Sequence, residues 1–472
     1  MLDRSVSAVS RRHMLSAASC GFGSLALAGL CRDSHAANPL AAIDPMHMPK
    51  AKRVIFLFMQ GGPSQVDTFD QKPVLTESDG KSIDFVGVRS NSFGVKSQRK
   101  LMKPLWEFQR YGESGQPVST LFPHIAQHVD DLCFIHSMHT NGVAHGPSTL
   151  FMHTGATNTI RPSMGSWITY GLGTENQNLP GFVTIGPSAS KGGPRNYANA
   201  FLPPIHQGTC LGRAGQSMKE ATFRFIKNSD ISKREQKNRF DLLQSINRAQ
   251  YESHHNDPGL DAVIESYELA WRMQAHAPDI LDIGNESKAT KEMYGIDERH
   301  TDDFGRQCLY ARRLAEAGVR YIQVNYADES PTPRWDQHSN MPKHKDHARA
   351  TDKPVAGLLA DLKQRGLLED TLVWWGGEFG RTPFTQGSNG RDHNPRGFTV
   401  FLAGGGVKSG FAYGRTDEIG HYAIENKVHM HDLHATILHL LGIDHLKLTY
   451  RHAGRDFRLT DIHGHVVQDL IA

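Results

Sequence analysis

The sequence predicts an α/β protein: a doubly wound, mostly parallel sheet with helices on both faces. Three observations predict it. Several short apolar runs are continuous rather than alternating, the pattern of strands covered on both sides. Helical patterns separate these runs, as in a sheet whose crossovers are helices. The chain is 472 residues long, with 38% hydrophobic and 21% charged residues. That is enough for one large core with insertions, and too apolar for a disordered chain.

In chain order, residues 37–52 read as a linker ahead of a single domain over 53–472. Arg53–Met59 (RVIFLFM) is the first strand, ended by Gln60-Gly61-Gly62-Pro63, which forces a turn. Further strands are expected at Leu132–Ile135, Phe182–Ile185, Val319–Val324, Thr371–Trp375 and Phe398–Leu402. Helices are expected at about Lys237–His254, Leu260–Gln274, Asp303–Ala317 and Lys353–Arg365, the last closed by Gly366. Asp432–Leu441 reads as one more helix, with Asp432 capping its start and Gly442 stopping it. Residues 71–118 and 187–235 are polar and rich in Gly and Lys, so they read as loops decorating the core. There is no internal repeat.

The first 36 residues read as an address. Arg11-Arg12 precede a weakly apolar run from Met14 to Leu30, and Ser34-His35-Ala36 offers small residues for cleavage after Ala36. This is the twin-arginine export pattern, which places the mature protein in the periplasm or outside the cell. The run is short and interrupted by Gly and Ser, so no membrane span is expected. Cleavage leaves Cys133, Cys210 and Cys308, neither a disulfide framework nor a zinc ribbon.

A net charge of +3 carries no electrostatic footprint for nucleic acid, so that partner is excluded. The 27 histidines point instead to metal, since imidazole is the commonest metal ligand. Chemistry in open α/β sheets gathers at the carboxyl ends of the strands. Those ends here carry Asp67 and Asp70, then His136, His139 and His145-Gly-Pro-Ser148, then Asp328 and Asp336-Gln337-His338, then Glu378, Arg381 and Asp392-His393.

These residues lie in familiar company. GGPSQVDTFDQKP at 61–73, GGEFGRTP at 376–383, GRDH at 390–393, AGGGVKSG at 403–410, HDLHATILHLLG at 431–442 and GRDFRLTDIHG at 454–464 resemble the domain-of-unknown-function 1501 family. That family comprises exported, sulfatase-like proteins related to the alkaline phosphatase-like superfamily. The resemblance covers nearly the whole mature chain. It implies an alkaline phosphatase-like core with loop insertions and a two-metal site for phosphate or sulfate esters.

Carried over by residue, the resemblance assigns Asp336, His338 and His393 to one metal and puts His145 at the nucleophile position. Gln60 and Gly61 stand where the superfamily has a metal-binding Asp, for which Asp67 or Asp70 would substitute. Glu378-Phe379 replaces the expected Asp-His pair, so one metal is expected rather than two. No Cys sits in the Cys-x-Pro-x-Arg context of formylglycine, and Cys210-Leu-Gly-Arg213 lacks the proline.

Two histidines and a carboxylate with an open position suit zinc, manganese or iron, with calcium as a further option. Glu378 and Asp392 are candidates for ligand or general base, Glu378 alternatively pairing with Arg381. Arg381 is either an anion clamp or that structural partner. Ser64 and Ser148 follow proline at strand ends and are candidate nucleophiles. His145 is an acceptor or a ligand. His429, His431 and His434 serve either packing and capping or function, and His439 belongs to the core or its rim. The expected activity is an exported, metal-dependent hydrolase of sulfate or phosphate esters on small molecules or glycans. The alternative is a catalytically degenerate glycan- or protein-binding module. Oligomeric state is not legible.

Overall fold

The computed structural model describes residues 40–86, 96–224, 226, 228, 230–253 and 258–472. The export segment over 1–36 and His254 lie outside them. The central sheet has nine strands, here β1 (Arg53–Met59), β2 (Leu132–His139), β3 (Phe182–Ile185), β4 (Thr209–Leu211), β5 (Tyr321–Tyr326), β6 (Thr371–Gly376), β7 (Phe398–Ala403), β8 (Phe411–Tyr413) and β9 (Val428–His429). Their order is β8-β2-β7-β6-β1-β5-β3-β4, with β9 beside β2. Only β7 runs against the rest, pairing antiparallel with β6 and β2.

The doubly wound prediction is visible residue by residue in β1. Ile55, Leu57 and Met59 enter one core, with Leu309 and Leu314 of α6 (Asp302–Glu316) and Val355 and Leu359 of α7 (His344–Gln364). Val54, Phe56 and Phe58 enter the other, with Trp167 and Ile168 of α3 (Met164–Leu172) and Leu433 and Ile437 of α8 (Met430–Leu440). Successive side chains on a strand point to opposite faces, so a run apolar at every position needs both faces covered.

The remaining helices that matter are α1 (Gln65–Thr68), α2 (His145–Thr154), α4 (Lys233–Ser253) and α5 (Pro258–Leu281). Helix α8 begins one turn earlier than expected, and its cap is His429. Asp432 is the third residue of the helix, and its carboxylate accepts from the His429 N–H at 2.9 Å, a capping box rather than a cap. The segment 37–52 is no free linker from Leu40 onward. Backbone N–H groups of Ile43, Met46, Lys50 and Ala51 donate to carbonyls of Leu172, Gly442 and Leu440, which binds the arm along helix ends. The polar stretch 71–118 contains two hairpins, Ser82–Val86 with Lys96–Lys100 and Phe108–Tyr111 with Gln116–Ser119.

The register sets the site. Phe58 is level with Gly376 of β6 and Asn325 of β5, so the carboxyl ends of β1, β5 and β6 finish together. β2 ends at the same edge and feeds α2, whereas the antiparallel β7 begins there. At this edge Gly61 has φ of +109°, and a Cβ on it would lie 2.7 Å from the backbone nitrogens of Trp335 and Asp336. Only glycine lets the β1 turn approach the Asp336 loop so closely.

Candidate metal centre

Four side chains from three segments meet at this edge. His145 is the first residue of α2, Asp336 and His338 lie on the loop after β5, and His393 precedes β7. One donor atom from each lies within 4.8 Å of every other. The Nε2 atoms of His145, His338 and His393 stand 3.1, 2.8 and 3.2 Å from Asp336 Oδ1, and those of His338 and His393 are 3.1 Å apart.

The outer nitrogens decide what those inner atoms are. His145 Nδ1 is 2.6 Å from Glu378 Oε1 and His393 Nδ1 is 3.0 Å from the Val143 carbonyl, while His338 Nδ1 faces Gln386 Oε1. Each of these partners only accepts, so each neutral imidazole carries its proton on Nδ1 and turns a bare Nε2 inward. Three lone pairs and a carboxylate oxygen then face one another with no proton to share, and His145 Nε2 is buried without a formed hydrogen bond. A cation resolves that conflict. Around an ion bound at about 2.0–2.1 Å, tetrahedral donors stand roughly 3.3 Å apart, close to the 2.8–3.2 Å of these four pairs. The residues therefore fit a single divalent metal. The outward hydrogen bonds are the supports that orient metal-binding imidazoles.

The electrostatics agree. Burial opposes the charge on Asp336, yet the three adjoining imidazoles and the Arg381 guanidinium hold its carboxyl far below the usual carboxylate range. Burial pushes His393 down to about 4 despite Asp336. His145 moves the other way: burial lowers it, but flanking Asp336 and Glu378 together raise it. Positive charge is favoured at the centre, whether it is brought by a proton or by a metal.

Other residues singled out above fall around this centre with different roles. Glu378 is fully buried and does not pair with Arg381. Its carboxylate accepts from the Gly61 N–H at 3.0 and 3.1 Å and orients His145. Arg381 is not an open anion clamp. It is fully buried, donating from Nε to Gly62 O at 3.0 Å, from Nη1 to Arg391 O at 3.2 Å, and from Nη2 to Gly61 O and to Asp336 Oδ1, the last at 2.7 Å. Asp67 is not in the cluster: helix α1 turns it toward Arg391 Nε at 2.7 Å, and it also accepts from Ser64 Oγ and the Leu105 N–H. Asp70 pairs with Lys72 at 3.0 Å. Asp392 is 40% exposed on the outer side of His338, 3.7 Å from its Nδ1. Ser148 is buried one turn after His145, and its Oγ packs where a Cβ on Gly142 would fall. Ser64 Oγ is committed to Asp67. Gln386 and the Val143 carbonyl, which anchor two of the ligands, carried no sequence signal: one is a lone amide in a loop, the other a backbone atom.

Fold and centre together define an α/β protein with a candidate single-metal site at the carboxyl edge of its sheet. The chain belongs to the family described as protein of unknown function (DUF1501), whose profile matches residues 51–471. Comparison with curated proteins returned no match. Among solved structures, the chain is similar to a sulfatase from Pseudoalteromonas sp. at 11% identity and TM-score 0.34, covering 83% of this chain and 68% of that one. It is also similar to a phosphonate monoester hydrolase from Silicibacter pomeroyi, at 11% identity and TM-score 0.35, covering 83% and 73%. An alkaline phosphatase superfamily protein from Vibrio parahaemolyticus gives 10% identity and TM-score 0.34, covering 86% and 70%. At these scores the likeness carries no statement about chemistry. No helix among the described residues is long and apolar enough to cross a membrane.

Proposed function

We propose that the protein is an exported, metal-dependent hydrolase of sulfate or phosphate esters, acting on a small molecule or glycan. The observation that carries the metal is the convergence of three bare Nε2 atoms on Asp336 Oδ1, each imidazole anchored from behind. A divalent metal held by His145, Asp336, His338 and His393 would supply Lewis acidity toward an ester oxygen. The chain's own residues prepare that position. Glu378 fixes the tautomer of His145, Arg381 holds the Asp336 carboxylate in place, and His338, 32% exposed, is the ligand next to solvent. Substrate therefore approaches from the His338 side, where the partly exposed Asp392 is the candidate base. The resemblance of the chain's motifs to sulfatase-like proteins is the source of the ester class, and the Arg11-Arg12 pattern is the source of the export reading.

A second reading comes from the same shell. Four protein donors would fill a tetrahedral shell, and a metal held that way would be structural unless its coordination expanded. One experiment separates the two. Metal content per chain is measured by mass spectrometry, and a panel of aryl sulfate and phosphate esters is assayed with the same metal, each for wild type and His393→Ala. Metal near one equivalent with turnover, both lost in the variant, is the expected result. Metal without turnover on any ester leaves the binding-module reading, and no metal sinks both. For export, Arg11→Lys with Arg12→Lys should retain the precursor inside the cell, and unchanged export would overturn that part.

A further inference from the structure

A cavity of about 560 Å³ opens beside α7, in the size range of small-ligand pockets, and none of its lining residues belongs to the metal centre. Its charges are lopsided. Lys345, Arg349 and Lys353 follow one another at intervals of four along α7, which stacks them on one helix face, and Arg299 lines the same pocket. The acids nearby are already engaged. Glu298 pairs with Lys353 at 2.5 Å, and the buried Asp352 accepts from the backbone N–H groups of His124 and Ile125 at 2.9 and 2.7 Å. Lys345, Arg349 and Arg299 make no ion pair among the described residues, although like charges four apart on a helix repel. The lining also holds Trp106, half-buried against the core, and Thr120.

We infer that this pocket is a second binding site, for an anionic saccharide. Lys345, Arg349 and Arg299 take its sulfate groups, and the flat indole of Trp106 takes the apolar face of the sugar ring. Guanidinium and ammonium groups without intramolecular partners are donors held ready for oxyanions. A half-buried indole in a pocket that also holds Thr120, His124 and His300 provides the mixed apolar and polar contact that a sugar ring needs. The site stands independently of the metal and of ester hydrolysis.

The test titrates the full chain with a heparin-derived hexasaccharide and with its desulfated counterpart, by calorimetry at low and at physiological salt. Three variants accompany it: Lys345→Glu with Arg349→Glu, Trp106→Ala, and Asp336→Asn. The expected result is saturable binding of the sulfated sugar at one site, weakened by salt. It should be weakened about tenfold or more in each pocket variant, a loss of one good contact or more, and be unchanged in Asp336→Asn. Lys345 and Arg349 are exposed, so their replacement leaves the fold intact, as an unchanged melting temperature should confirm. No saturable binding by the wild type overturns the proposal. So does equal binding of the desulfated sugar. Loss in the charge variant with no change in Trp106→Ala overturns the saccharide assignment, as does equally tight binding of a short single-stranded oligonucleotide.

Discussion

Two groups of histidines sit at the two ends of α2 and use opposite chemistry. At its start, His145 joins His338 and His393, all with Nδ1 protonated outward and Nε2 bare toward Asp336. At its end, His431 and His434 donate from Nε2 to the carbonyls of Gly155 and Met152, at 2.9 and 2.8 Å. Met152 lies in the last turn of α2 and Gly155 is the residue that ends it, so α8 caps α2 from outside. The difference lies in what each ring faces: a carboxylate and further imidazoles at one end, backbone acceptors at the other. Histidine count alone does not separate a ligand from a clamp. The atom on the far side of the ring does.

That contrast can be broken by substitution. The largest effect is expected for Asp336→Asn, which should abolish stoichiometric metal, read by mass spectrometry, while circular dichroism stays native. Retained metal would mean the four donors are not the site. His434→Ala should leave metal content unchanged but cost about 2–3 kcal/mol in stability, because it empties core volume and leaves the Met152 carbonyl unpaired. A calorimetric melt measures this, and a metal deficit would erase the distinction between the two ends. Glu378→Gln keeps the shape but weakens the acceptor behind His145. Metal affinity should fall by about 10–100-fold in competition with a chelator.

The acid limb of stability sharpens the comparison further. Burial pushes His153 and His434 down to about 3. The unfolded chain takes up these protons near pH 6.5, whereas the folded one resists until about pH 3. Stability should therefore be level above about pH 6.5 and fall below it, by up to ~1.4 kcal/mol per pH unit for each such group. His434→Gln keeps a donor for Met152 but does not titrate, so its melting temperature should decline less steeply with acid. An identical slope would show that His434 is already charged in the fold. The smallest effect is expected at Asp392→Asn, where a partly exposed pair is worth up to ~1 kcal/mol and metal affinity should shift by less than about fivefold.

Much of the sheet was legible because a strand buried on both faces has no polar positions to blur it. β1 and β3 have the predicted bounds. β5 begins two residues later than expected, since Val319 N–H closes on the Leu314 carbonyl and belongs to the helix end rather than the strand. In the site, Asp336, His338 and His393 were legible only because a resemblance aligned them, for a sequence does not say which strand ends become neighbours. Asp67 follows β1 as a ligand should, yet one short helical turn aims it at Arg391. Arg381 reads in sequence as a clamp or as the partner of Glu378 and is a strut in space, held by Asp336 and by three backbone carbonyls that leave no trace in side-chain chemistry.

Gly61 carries a consequence for timing. Its N–H holds Glu378 and its carbonyl holds Arg381, so a single peptide unit braces both the support of His145 and the support of Asp336. Neither brace exists until β1 lies between β5 and β6, two strands far along the chain from it. The centre thus forms only by closure of distant segments, never by any local loop alone. A metal seated there would certify a finished sheet, and chain caught midway in folding would have nothing to offer it.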